Sequence, residues 1–165
     1  MPILKQEDDL FPPDLLQLVE ESPGESKHWF CLYTLSRREK ELMRKLRSMA
    51  IGFYSPIITK RFRSPNGRLR TSYVPLFPNY VFLYASEVER HQAMTTNCIS
   101  RCNEITNPED LVVDLRQIRE AIGSGTPLTP EARLVAGQRV RVRSGLFRGY
   151  EGVVIRREGK TRLLL

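Results

Sequence analysis

The chain has little that would support catalysis, secretion or residence in a membrane. It holds only three cysteines, Cys31, Cys98 and Cys102, an odd number that argues against a disulfide framework and suits a reducing compartment. Its longest apolar runs, such as Val81 to Leu83 and Leu163 to Leu165, fall far short of the roughly 20 residues of a spanning helix. The opening Met1 to Gly24 is acidic and lacks the apolar stretch of a secretion signal. A cytoplasmic protein with no membrane partner is therefore expected. Of the two histidines, His28 and His91, neither has an evident carboxylate to orient it. No glycine-rich phosphate loop is present. A zinc site built from His91, Cys98 and Cys102 lacks a fourth ligand, and its spacing is not that of a finger or ribbon. Enzymatic activity, a metal centre and a bound cofactor are not expected.

What is present is positive charge, unevenly spread. The 165 residues carry 26 Lys and Arg against 19 Asp and Glu, net +7. Residues 1–26 hold one lysine and seven acids, which leaves net +13 on the remaining 139 residues, the balance of a polyanion binder. Lys27 to Leu76 carries twelve bases and two acids, Phe77 to Arg133 five bases and eight acids, and 134–165 eight bases and two acids. Clustering of this kind favours a binding field over a merely soluble surface.

Periodicity places the elements. Residues 1–26 read as an acidic, Pro-rich, disordered tail, with one short helical stretch from Asp14 to Glu21; masking of the basic face or partner binding is the alternative for that stretch. Trp29 to Leu35 is a strand, and Arg37 to Met49 a helix with Leu42, Met43, Leu46 and Met49 on one face and bases on the others. Phe53 to Phe62 is a second strand, and the P-N-G turn within Ser64 to Arg68 leads into a third, Arg70 to Val74. This hairpin has a tip lined with Arg61, Arg63, Arg68 and Arg70. The strand Tyr80 to Tyr84, a helix from Glu87 to Met94, a strand near Asn103 to Thr106 and a helix from Asp114 to Ile122 follow. That order predicts an antiparallel sheet with helices on one face, an α+β fold. Residues 123–133 read as a linker. Beyond it Arg139 to Arg143 alternates valine and arginine, with further strands at Val153 to Ile155 and Thr161 to Leu165.

Two motifs resemble a known family. Val135 to Val142, Gly145 to Gly149 and Gly152 to Val154 look like the KOW motif of the NusG transcription elongation factors, and L-F-P-N-Y, Leu76 to Tyr80, with Trp29, looks like their N-terminal NGN domain. Leu76 to Tyr80 together with Thr95-Thr96 and Ser100-Arg101 leans toward the specialised RfaH-like paralogues. The resemblance implies an NGN domain over 27–122 and a partial KOW domain over 134–165, a small all-β SH3-like barrel that is expected to be cut short at its C-terminal end.

It also implies partners and sites. Tyr33, Phe77, Tyr80 and Phe82 match the aromatic face that seats the clamp helices of RNA polymerase; the competing view is that these rings fill the core. Thr95 and Thr96 match the segment that meets the polymerase gate loop, although His91 is displaced from the family's His-Thr-Thr pattern. Arg37, Arg38, Lys40, Arg44, Ser100 and Arg101 match the side that approaches upstream DNA and the non-template strand, against the alternative of a solvated helix face. Phe147 matches an exposed aromatic through which an intact KOW domain docks termination factor Rho or a small-subunit ribosomal protein. The function so implied is a monomeric transcription elongation and antitermination factor that suppresses pausing. A KOW-containing RNA-binding or ribosome-associated protein is the other reading, and it leaves L-F-P-N-Y unexplained.

Overall fold

A computed structural model describes residues 6–21, 26–125, 137–143, 148–149, 151–157 and 160–164. They form two compact units, Met1–Pro108 and Glu109–Leu165. The first holds β1 (Leu10–Phe11), α1 (Leu15–Glu21), β2 (His28–Thr34), α2 (Glu39–Ser48), β3 (Gly52–Tyr54), β4 (Ile57–Arg63), β5 (Leu69–Pro75), β6 (Tyr80–Ala85), α3 (Glu87–Met94) and β7 (Ile99–Glu104). Five of these strands make an antiparallel sheet in the order β1-β3-β6-β2-β7, and β4 pairs β5 in a separate hairpin. The fold is α+β, with an antiparallel sheet and helices, as an NGN domain has.

Alternation along the strands gives the sheet two different faces. Phe30 and Leu32 of β2, Phe53 of β3, and Val81, Leu83 and Ala85 of β6 point to one side and pack with Leu42, Met43 and Leu46 of α2. The spacing of those three helical residues puts them on one stripe, so α2 buries its apolar edge and turns its bases outward. Each such fully buried leucine stabilises the fold by about 2 kcal/mol. Met49 does not join them, because the helix stops at Ser48 and Ala50 takes a left-handed φ of 56°. The Ala50 amide then donates to the Arg47 carbonyl and the Ile51 amide to that of Leu46, which closes the C-terminus in a Schellman turn. Helix α3 opens on a capping box, with Ser86 and Glu89 bonding each other's backbone amides. Burial pushes the Glu89 carboxyl up, but the Ser86 amide and the Lys27 ammonium outweigh it and leave it below its ordinary value.

Three features depart from the pattern reading. The expected strand from Phe53 to Phe62 is broken at Ser55-Pro56, since proline cannot donate into the ladder. The strand expected at Asn103 begins four residues earlier, at Ile99, and a register shift at Tyr33/Thr34 hides the alternation there. The acidic tail, expected to be disordered, is structured over 6–21. Leu10, Leu15 and Leu16 are buried, β1 pairs with β3, and the Asp9 carboxylate and carbonyl accept the amides of Ile57 and Ser55. Composition weighed the tail's charge, whereas its three buried leucines decide its state. Leu15 lies 3.2 Å from where a Cβ on Gly52 would stand, on the face opposite Phe53, so helices occupy both sides of the sheet.

The second unit contains α4 (Pro108–Gly123) and an antiparallel sheet, β10 (Lys160–Leu164), β9 (Glu151–Arg157) and β8 (Arg139–Arg141). From Arg139 to Arg143 the arginines are exposed and the valines half-buried. Arg141 pairs across the ladder with Glu151, its Nε donating at 2.9 Å. Phe147 lies outside the described residues. Among the described residues no helix is long and apolar enough to cross a membrane.

Candidate functional site

The L-F-P-N-Y segment folds as a tight turn. The Tyr80 amide donates to the Phe77 carbonyl at 3.1 Å, and Asn79 sits at φ 68°. Proline in the second place and asparagine with positive φ in the third are the requirements of a type II turn. Three outside bonds hold it. The Glu39 carboxylate accepts the Asn79 amide at 2.8 Å, the Asn79 carbonyl accepts the Thr34 amide at 2.8 Å, and the Leu76 amide donates to Pro56 at 2.7 Å. Glu39 is buried in the first turn of α2, so the helix, β2 and the Ser55-Pro56 break all fix where the turn points. Replacing Asn79 with alanine keeps a Cβ in the left-handed backbone but loses the short polar side chain that lets asparagine tolerate it, and is expected to cost up to about 1 kcal/mol. Glycine at the same position should lose far less. Urea midpoints of the two variants measure this.

The turn arranges aromatic rings on the sheet face away from Leu83. Tyr33 and Tyr80 are opposite each other in the β2/β6 ladder and meet edge to face at 5.2 Å. They stay 38% and 41% exposed. Phe77 stands perpendicular to Phe82 at 5.9 Å, half-covering it, so Phe82 is only 7% exposed and serves as the floor. Tyr84 turns toward Trp29, with ring centroids at 5.3 Å, and Trp29 and Tyr54 are buried on the same side. One end of this face is therefore closed, and the other presents two tyrosines over a phenylalanine floor. Such rings remove much apolar area from water with few rotamers to lose on binding.

Residues 27–122, more than half of the chain, match the family described as "Transcription termination factor nusG". The chain belongs to the NusG family. Members are transcription elongation and termination factors that bind RNA polymerase and catalyse no reaction themselves. No curated protein matches the chain closely enough to count as a relative.

The remaining candidate residues of this NusG-family chain lie on other elements. Thr95 and Thr96 follow α3. Thr95 is exposed, whereas Thr96 is buried, its hydroxyl donating to Ala93 at 2.7 Å and accepting from the Cys98 amide. Lys45 of α2 donates to the Thr96 carbonyl at 2.9 Å and to Glu41 at 2.8 Å. That second bond holds the Glu41 carboxyl below its ordinary value and the Lys45 ammonium above its own.

The basic side is partly neutralised from within. Arg38 pairs with Glu41 at 3.3 Å, Arg44 with Glu7 at 2.7 Å, and Arg47 with Asp8 at 2.9 Å. Arg37, at φ 61°, and Lys40 show no ion pair among the described residues, and Ser100 and Arg101 are exposed on β7. Reading the sequence missed Glu39 and the Glu7/Asp8 pair. For Glu39 the signal was faint, one acid among bases at a helix start; for the tail it was the run of three acids before a leucine.

All three cysteines are free, Cys98 buried and the other two half-buried. Burial pushes the Cys31 thiol up, with help from Cys102, and also raises Cys102 against the pull of Arg90. His91 is exposed and its Nδ1 lies 2.8 Å from the Glu87 carbonyl. Among the described residues no group of three His, Cys, Asp or Glu side chains is placed to hold a metal.

Proposed function

We propose that this protein is an RfaH-type transcription elongation and antitermination factor that grips the clamp helices of RNA polymerase with the Tyr33–Tyr80 face and suppresses pausing. The observation that carries this is the pair of exposed, edge-packed tyrosines over Phe82, beside Phe77, held in place by the Phe77–Tyr80 turn. A protruding helical tip would cover rings that are otherwise wet. Thr95, the exposed member of its pair, is the gate-loop contact, and Thr96 supports it from inside. Bridging the two sides of the polymerase cleft disfavours its open, paused state.

Arg37, Lys40, Ser100 and Arg101 meet the upstream and non-template DNA directly, while Arg38 and Arg44 first exchange a carboxylate for a phosphate. The alternating Arg139–Arg143 segment belongs to a KOW domain, which docks Rho or a small-subunit ribosomal protein through Phe147. The protein works in the cytoplasm as a monomer.

The test is elongation from halted complexes on a template with a defined pause. Addition of the full chain is expected to shorten the pause lifetime. A lengthened or unaltered lifetime would overturn the antipausing reading. Retention on ribosomes with none on core polymerase would favour a ribosome-associated protein instead.

A further inference from the structure

The β4–β5 hairpin is a strongly charged element to which the proposed function gives no part. Its root is fixed: Ile57 is buried, Tyr73 packs against the core, and Leu76 bonds back to Pro56. From there two strands of seven residues run antiparallel, with Ile57 opposite Pro75 and Arg63 opposite Leu69. At about 3.3 Å per residue the arm is roughly 20 Å long. Its end is narrow, because the Ser64 amide donates to Arg68 at 2.9 Å and Gly67, at φ +76°, donates to Ser64 at 2.8 Å.

Between Ile57 and Pro75 there are five bases, Lys60, Arg61, Arg63, Arg68 and Arg70, and no acid. Among the described residues none of the five is paired with a carboxylate, whereas Arg38 at the start of α2 and Arg44, Lys45 and Arg47 on it are, leaving Lys40 as the unpaired base of that helix. The unshared positive charge of this unit thus lies chiefly on the hairpin. Register divides it between the two faces. Lys60 and Arg70 share one, Arg70 directly across from Phe62; Arg61 and Arg63 share the other, Arg63 across from Leu69. Phe62 is 45% exposed and Leu69 65%, large apolar groups left wet near the tip.

We propose that this hairpin is an arm that enters the major groove of duplex DNA. That groove, about 12 Å wide, admits a two-stranded ribbon. Phosphates line both of its walls, and an arm inserted tip first carries a cationic face toward each. Arg68 and the apolar Phe62 and Leu69 then reach the groove floor, where thymine methyls offer apolar contact. The A-form groove of duplex RNA is too narrow and deep for such an arm, and a single strand has no groove.

The test uses the full chain and naked nucleic acid, so it stands or falls apart from the polymerase reading. Anisotropy of a labelled DNA duplex is compared with duplex RNA and single-stranded DNA of the same sequence, over a salt series. The wild type is expected to prefer the DNA duplex. Arg61→Ala, Arg63→Ala, Arg68→Ala and Arg70→Ala combined should weaken duplex binding at least on the order of tenfold and flatten the log-log salt dependence by about 3. Arg63→Gln with Arg68→Gln, a milder pair that removes one phosphate contact and one groove-floor contact, should give about a third of that flattening, and serves if the fourfold variant melts early. A fourfold variant that loses as much affinity for duplex RNA or single strands as for the DNA duplex, or an unaltered salt slope in a folded variant, overturns the proposal.

Discussion

Tyr80→Ala is expected to leave the chain folded and to remove it from core RNA polymerase. The ring is 41% exposed and leans edge-on against Tyr33, itself 38% exposed, so its loss opens no cavity in the interior. Truncating a central aromatic of an interface typically costs 2 kcal/mol or more, about 30-fold in affinity. Tyr33→Ala should weaken retention in the same direction. Two controls frame the result. Val88→Ala, at the most exposed large apolar side chain of α3, should alter neither stability nor retention. Tyr54→Ala removes a ring that is fully buried, and is expected to cost about 3–5 kcal/mol of folding free energy. Retention of folded Tyr80→Ala at wild-type strength would show that the clamp contact lies elsewhere.

The second large effect concerns the tail. Glu7→Gln with Asp8→Asn removes the carboxylates that hold Arg44 and Arg47, while the Arg47 bond to the Asp8 carbonyl at 3.0 Å remains open to either side chain. Exposed ion pairs contribute about 0–1 kcal/mol each, so thermal stability should hardly move. Affinity for DNA should move a good deal. Arg44 no longer has to give up Glu7, and Arg47 is freed to neutralise one further phosphate, so the log-log salt dependence should steepen by about 1 and affinity at low salt should rise on the order of tenfold. A salt titration of binding by the double variant measures this; a slope and an affinity equal to those of the wild type would mean that the tail does not compete with DNA for these arginines.

How much of this was legible depended on the range of the cause. The α2 stripe of Leu42, Met43 and Leu46, the bounds of α3, and the alternation from Tyr80 onward are local patterns, and they stand in the structure as the sequence reading placed them. Phe82 was grouped with its neighbours as an outward ring, and only the approach of Phe77 across the turn shows that it lies beneath them. Thr96 reads like Thr95 until its hydroxyl is seen bonded to Ala93. Glu39 could not be singled out, because its partner Asn79 lies 40 residues along the chain. The tail was misread for the opposite reason: its local charge is conspicuous, but its state depends on where Leu10, Leu15 and Leu16 find cover.

The short pairing of Leu10 and Phe11 with Tyr54 and Phe53 reaches beyond electrostatics. It caps the margin of the five-stranded sheet, which would otherwise offer β3's unmatched amides and carbonyls to any passing extended chain. A protein trimmed of its first eleven residues would therefore gain both a bare basic helix and a sticky rim, and its self-association would confuse any binding curve. Point substitution at Glu7 and Asp8 separates the two roles, because it discharges the segment while leaving the rim sealed.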